Sequence, residues 1–358
     1  MTIEKIEFQG FKNCFKITWN HFKLIITQDV GPRVLSLSYN DNQSIFGMKS
    51  HNLSTLSTPS TIGGEGNHSS LNDQWNLFGG HRLWHAPECA GRTYYPDNQP
   101  IQIEIVNDGT MVIMRQAIEH LTGVKKTITL EIKEGGGGGG GGSVGDGSRL
   151  SYIQVNHYLE NKGIWPIQCA PWAISVMTKD TKAIIPLSND SANGLLPKTS
   201  ISLWNYTKLQ DPRITLGNKY IMVQQQDKSL ENIGSNKIGS RVNSGWSASI
   251  TNSTLFVKII DTDTKDLQVD LGANVEVYTD DDILELETVG KLLTLEPTPP
   301  LSPPIDVSSP SRIKTSTPFV QLLTEKWYLF QINDIPTPQN DNDIDKNILP
   351  IINELLNK

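Results

Sequence analysis

Ile283-Leu284-Glu285-Leu286-Glu287-Thr288-Val289 is the stretch on which the fold turns. Side chains of an extended strand alternate between its two faces. Glu285 and Glu287 therefore share one face, while Leu284 and Leu286 share the other. Just upstream, Asn274-Val275-Glu276-Val277-Tyr278 repeats the pattern, with Asn274 and Glu276 on one face. Two such strands predict a sheet with one apolar and one polar face. The polar face reads either as a solvated sheet surface or as the lining of a concave, wet cleft. In a cleft, a carboxylate can serve as general base.

Strand signals continue in both directions. Phe22–Thr27, the Gly31-Pro32 turn and Arg33–Tyr39 read as strand, turn, strand, closed by Asn40-Asp41-Asn42. Ile101–Val106 and Met111–Ile118 flank Asn107-Asp108-Gly109, a hairpin signal. Val124–Ile132 and Leu150–Leu159 alternate and are expected to pair across the glycine run Gly135–Gly142. Further candidates are Ala170–Met177, Tyr220–Gln225, Trp246–Ser249, Thr254–Ile260 and Phe319–Ile332. Helical periodicity is confined to the tail, where Ile348, Ile351, Ile352, Leu355 and Leu356 share one helical face. Many short strands with Gly, Asn and Pro turns predict an all-β sandwich or barrel. The expected organisation is one β domain over 1–335, then a polar tail with a short helix over 336–358. Low-complexity insertions are expected at 135–148 and 298–317, with a further loop over Ser50–Gly66.

The 358-residue chain carries a formal charge of −7, which argues against nucleic-acid binding. Its three cysteines, Cys14, Cys89 and Cys169, are widely spaced with no CxxC, which suits a reducing compartment. Met1–Ile6 interleaves acid and base without an apolar run, and no apolar run reaches the length of a membrane span. The expected setting is the cytoplasm, with no membrane partner.

Asn76-Leu77-Phe78-Gly79-Gly80-His81-Arg82-Leu83-Trp84-His85-Ala86-Pro87-Glu88 concentrates the chemistry. A Gly pair permits a tight turn or a close approach to a ligand. Around it stand donors, acceptors, imidazoles that titrate near neutral pH and a flat apolar ring. A sugar needs all of these; a loop whose His and Trp merely pack is the alternative. Trp165-Pro166-Ile167-Gln168-Cys169-Ala170-Pro171-Trp172 supplies two more rings able to stack on a sugar or to sit in a β core. His157 reads as a structural histidine. His81 and His85 stand four apart, a spacing that binds zinc on a helix, but Arg-Leu-Trp separates them and Pro87 limits any helix. Neither a Gly-x-Ser-x-Gly elbow nor a phosphate loop occurs, and no cofactor is implied.

Together these residues resemble the galactose mutarotase-like superfamily of aldose 1-epimerases and hexose-6-phosphate epimerases, and within it the DUF4380 branch. Four stretches carry the likeness across about residues 15–332. They are Gly31-Pro32-Arg33-Val34-Leu35-Ser36-Leu37, the Gly80–Glu88 motif, and Asp211-Pro212-Arg213-Ile214 with Lys237-Ile238-Gly239 and Gly245-Trp246. The fourth is Asn274–Thr279 with Leu284–Thr288 and Trp327-Tyr328-Leu329-Phe330. The resemblance implies a supersandwich of large antiparallel sheets with a sugar cleft on a concave face. It implies Glu287 as the base that takes the anomeric proton and His81 as the acid on the ring oxygen. A second family histidine has no counterpart in Gln168–Trp172, so His81 or His85 takes the acid role in this reading.

The expected site comprises catalytic Glu287 and His81 across one cleft, with Asn76, Arg82, Trp84, His85, Trp172, Glu276, Glu285 and Arg33 binding substrate. No metal is expected. The partner is a monosaccharide or short glycan. Arg33, Arg82 and Arg213 would favour a sugar phosphate if two of them converged at the cleft mouth. Two other functions stay open: a lectin-like binder without turnover, and a metal-dependent β-barrel enzyme using His81 and His85.

Overall fold

The computed structural model describes residues 1–48, 75–134, 151–188, 199–225, 233–251, 253–261, 268–298, 320–333 and 335–356. The expected insertion at 135–148, nearly all of that at 298–317 and the Ser50–Gly66 loop lie outside these residues. In chain order the strands are β1 (Thr2–Phe8), β2 (Phe11–Trp19), β3 (Phe22–Thr27), β4 (Arg33–Tyr39), β5 (His81–Ala86), β6 (Gln102–Val106) and β7 (Met111–Arg115). Next come β8 (Val124–Glu134), β9 (Ser151–Asn161), β10 (Ile167–Met177), β11 (Lys182–Pro186), β12 (Ile201–Leu203), β13 (Ile214–Leu216) and β14 (Tyr220–Gln224). The last are β15 (Asn236–Ser240), β16 (Trp246–Thr251), β17 (Thr254–Ile260), β18 (Val275–Thr279), β19 (Leu284–Val289), β20 (Leu293–Leu295) and β21 (Val320–Gln331). Two helices follow, α1 (Asp341–Asn347) and α2 (Leu349–Leu356).

The strands form two large antiparallel sheets, a β-supersandwich. One runs β1-β2-β3-β4-β5-β10-β19-β18-β15-β12, with β20 attached to β10. The other runs β13-β14-β11-β16-β17-β21-β9-β8-β7-β6. The core lies between them. Leu83, Ile238, Val277, Leu284 and Leu286 from the first sheet meet Val112, Ile128, Val155, Phe256 and Trp327 from the second. Apolar burial of this kind supplies the main driving force, at about 25 cal/mol per Å².

The outer faces differ. Ile344, Ile348, Ile352 and Leu355 of the C-terminal segment pack on Ile184, Tyr220, Trp246, Tyr328 and Phe330, covering the second sheet. The side chain of Asn340 caps α1 by accepting from the Asp343 amide. The first sheet's outer face instead carries Trp84, Trp172, Ile174 and Val289, flanked by Trp75. Among the described residues, no helix is long and apolar enough to cross a membrane.

The Gly79-Gly80 pair is explained by backbone crowding. Both residues have positive φ, 90° and 69°. A Cβ on Gly79 would lie 2.2 Å from the Gly47 carbonyl, and one on Gly80 would lie 2.3 Å from the Val34 carbonyl. The close approach is to backbone, at Gly47 and in β4. It steers the chain into β5, which lies beside β4 and β10 in the sheet, so the His81 stretch is a strand and not a loop.

Candidate functional site

Register decides which side chains meet. Arg33 pairs with Arg82, Arg82 with Ile174, Ile174 with Glu287, Glu287 with Glu276, and Glu276 with Gly239. Paired residues point to the same face, so this row crosses the outer face of the first sheet. The next row over runs Val176–Glu285–Tyr278–Lys237. On the other side, Trp84 pairs with Trp172, and Trp172 with Val289. These rows form a cleft of about 240 Å³, a size suited to one sugar ring. Arg82, Lys237, Glu285 and Glu287 line it, walled by Trp75, Trp84, Trp172, Tyr94, Tyr206 and Tyr278.

The Glu287 carboxylate is held at one oxygen only. Trp172 Nε1 donates to Oε2 at 2.6 Å and Lys237 Nζ at 2.8 Å. Oε1 is buried with no hydrogen-bond partner. Lys237 also lies 2.8 Å from Glu276 Oε2 and over the rings of Trp172 and Trp204, at 4.3 and 4.6 Å. Burial lowers its pKa, but Glu276 and Glu287 outweigh burial and raise it. Arg82 is fixed in the same manner: NH2 lies 2.9 Å from Glu285 Oε1 and the guanidinium sits 4.4 Å over Trp84. Its Nε and NH1 are buried without hydrogen-bond partners. Burial and the neighbouring Glu287 raise the pKa of Glu285, against the pull of Arg82. Buried polar atoms without partners mark places where a ligand or ordered water belongs.

The even-numbered residues of β5 serve the cleft; the odd ones do not. His81 points between the sheets. Its Nδ1 lies 2.8 Å from Ser175 Oγ, and its Nε2 lies 2.7 Å from His157 Nε2. His157 Nδ1 faces the Leu323 carbonyl at 3.0 Å. A carbonyl only accepts, so that nitrogen carries the proton. His157 Nε2 then accepts from His81, whose Nδ1 accepts from the Ser175 hydroxyl. Both rings are satisfied as neutral species. Burial is the main cause that lowers both pKa values, with His157 and Lys258 lowering that of His81 further. Nearby, Lys258 Nζ lies 3.1 Å from Glu325 Oε1, and Trp327 Nε1 donates to Glu325 Oε2 at 2.7 Å.

The expectation that Glu287 and His81 face one cleft is therefore not met, because strand alternation sends them to opposite sides of the sheet. Arg82, Trp84, Trp172, Glu285 and Glu287 do line the cleft, and Glu276 adjoins them through Lys237. Arg33 lies one strand beyond Arg82. It is buried against Asp97 and the Gly79 carbonyl, which it meets at 2.6 Å. Asn76 does not line the cleft, although its neighbours Trp75 and Leu77 do. His85 shares the inner face with His81 and lies 3.7 Å from Glu119. In an extended strand, residues four apart are separated by about 13 Å, so His81 and His85 cannot chelate one ion. His81, His157 and Glu325 do cluster within 4.8 Å. Yet the 2.7 Å between the two Nε2 atoms is a hydrogen-bond separation, and two zinc-bound imidazoles at Zn–N of about 2.0–2.1 Å stand farther apart.

The arginines do not converge either. Arg213 pairs with Asp211 at 2.7 Å beside β13, in the other sheet. Lys237, Tyr94, Tyr206 and Tyr278 join the site without having been expected from sequence. The one available signal is Lys237 itself, a charged residue beside Ile238 in a family-like motif.

No protein-family model matches the sequence, and no curated protein is significantly similar to it. Among solved structures, a TPR-domain containing protein from Parabacteroides distasonis is similar over 93% of this chain and 50% of its own length, at 10% identity and a TM-score of 0.48. The chain thus spans half of that protein. A galactose mutarotase-like protein from Lactobacillus casei is similar over 89% of this chain and 100% of its own, at 10% identity and a TM-score of 0.47. Another from Clostridium acetobutylicum is similar over 92% and 98%, at 9% identity and a TM-score of 0.40. Likenesses at this level assign no activity to this chain.

Proposed function

We propose that the cleft binds a monosaccharide and that the protein is a cytoplasmic aldose 1-epimerase-like enzyme of the mutarotase type, in the DUF4380 branch. The observation that carries this reading is the half-anchored Glu287: Oε2 fixed by Trp172 and Lys237, Oε1 buried and unpartnered, within an aromatic-walled cleft. Oε1 takes the proton of the anomeric hydroxyl. The C1–O pair becomes a carbonyl, the bond from C1 to the ring oxygen breaks, and the ring oxygen takes a proton. Rotation about C1–C2 and the reverse steps give the other anomer. No cofactor is needed, since a positioned acid and base each contribute about 10²–10⁴-fold.

Because His81 faces the interior, the acid is assigned to Glu285. It shares the strand face with Glu287, and burial raises its pKa. Arg82 orients the ring through Nε and NH1, and Trp84 and Trp172 take its apolar face. The absence of any histidine among the described residues that line the cleft favours a second reading, a sugar-binding module without turnover. Thermal-shift screening of free hexoses, then anomer exchange by NMR on each hit, tests both. Binding with exchange above buffer supports the enzyme; binding without it supports the module; no sugar binding removes the proposal.

A further inference from the structure

Resting on the sugar-cleft reading above, we propose that the preferred ligand is a reducing 1,4-linked disaccharide. Its reducing ring fills the cleft, and its second ring lies on an outer subsite formed by Tyr94 and Tyr206. The cleft has a buried floor and an exposed aromatic mouth. Glu287, Trp172 and Lys237 are 0%, 3% and 3% exposed, whereas Tyr94 and Tyr206, which line the same cleft, are 38% and 41% exposed. The two tyrosines come from opposite sides. Tyr94 follows β5 and Tyr206 follows β12; between those strands run β10, β19, β18 and β15, which carry Trp172, Glu287, Tyr278 and Lys237.

Both rings are held in place. Tyr94 packs edge-on against Trp75 and Trp84, with centroids 5.6 and 5.1 Å away, and its hydroxyl donates to Glu88. The neighbours of Tyr206 on either side are anchored. Trp204 lies against Lys237 Nζ at 4.6 Å, and the Thr207 hydroxyl donates to the Lys237 carbonyl while accepting from its amide. Rings fixed in advance lose little side-chain freedom when a ligand arrives. Beside Tyr94, Trp75 Nε1 is a buried donor without a hydrogen-bond partner, and Trp75 lines the cleft. Such a donor marks a place where a ligand oxygen or ordered water belongs.

A cleft of about 240 Å³ is filled by one ring, so the exposed tyrosines at its mouth offer more surface than a monosaccharide covers. Direction follows from the reading of Glu287. The anomeric hydroxyl must reach Oε1 at the floor, and C4 lies across a pyranose ring from C1. A substituent on O4 therefore leaves through the mouth, between Tyr94 and Tyr206. Their faces take the apolar C–H groups of the second ring, and the exposed Glu88 carboxylate accepts from its hydroxyls.

Calorimetric titration tests this with maltose, cellobiose, 1,4-galactobiose and 1,4-mannobiose, each against the monosaccharide of its reducing end. At least one disaccharide should bind about fivefold or more tighter than that monosaccharide, the gain expected of added ring stacking. In Tyr206→Ala the ratio of disaccharide to monosaccharide affinity should fall to within about twofold, while Tyr206→Phe, which keeps the ring, should retain it. The preference is read on the wild type, so the test holds even for a variant that fails to fold. Equal affinities within every pair, or an unchanged ratio in a folded Tyr206→Ala variant, would overturn the outer subsite and leave the sugar cleft standing. Failure of every sugar to bind would remove the cleft reading itself.

Discussion

The ammonium of Lys258, on the far sheet, donates to the backbone carbonyl of Leu286 at 3.3 Å, immediately before Glu287. Its ion-pair partner Glu325, 3.1 Å away, lies on β21 of the same far sheet. A buried pair from one sheet thus grips the strand that carries the proposed base from behind. Lys258→Met alone strands a buried carboxylate and should cost about 3–5 kcal/mol. Lys258→Met with Glu325→Leu should regain most of that stability. If the pair positions Glu287, the double variant keeps KM and loses about tenfold in kcat. Unchanged kcat in a stable double variant would make the pair purely structural.

Glu287→Gln keeps the shape and removes the proton acceptor. Anomer exchange should fall by at least about 10²-fold while sugar affinity changes little. Exchange at the wild-type rate would rule out Glu287 as the base.

Arg82→Lys retains the charge but loses the planar group that stacks on Trp84 and reaches Glu285. Sugar affinity should drop by about tenfold or more, read by calorimetry. Equal affinity would remove Arg82 from the binding set.

Gly80→Ala should lower stability by about 2 kcal/mol or more, because φ is positive and the Val34 carbonyl occupies the Cβ position. Urea melts measure it. A loss of a few tenths would show that β4 yields easily.

His81 and His157 have depressed pKa values in the folded state. The unfolded chain binds more protons below about pH 6.5, so their contribution is complete above that pH and is lost as pH falls. The slope approaches about 1.4 kcal/mol per pH unit for each ring. Glu276 and Glu285, with raised pKa values, contribute in the opposite sense: their share is largest at low pH and is lost as pH rises from about 4.5. The informative quantity is therefore the difference between wild type and His157→Gln, measured at pH 7.5 and pH 5.5. The variant should lose less stability on acidification; parallel losses would show that the pair does not titrate in this way.

Much of the β architecture was legible because apolar runs stop at clear turns. Arg33–Tyr39 and Thr254–Ile260 emerged with their observed bounds. The opposed faces of Leu284–Val289 followed from alternation alone. His81–Ala86 hid its strand character because every residue is buried, with polar groups on both faces, so no polar–apolar period marks it. For the same reason His81 could not be assigned a side. Lys237 became visible only through its long-range register with β18, which local sequence does not encode. Phosphate recognition by arginines was legible as residue type only. Arg33 and Arg213 are paired to Asp97 and Asp211 and do not line the cleft; Arg82 does, and its pairing to Glu285 uses one nitrogen.

The two-sided use of β5 makes chain length there as constrained as chain composition. Adding or removing one residue between Gly80 and Ala86 would exchange the strand's faces. Imidazoles would be presented to the solvent-filled groove, and Arg82 would be driven into the layer between Ser175 and Trp327. A single-codon insertion or deletion would disrupt groove and core together.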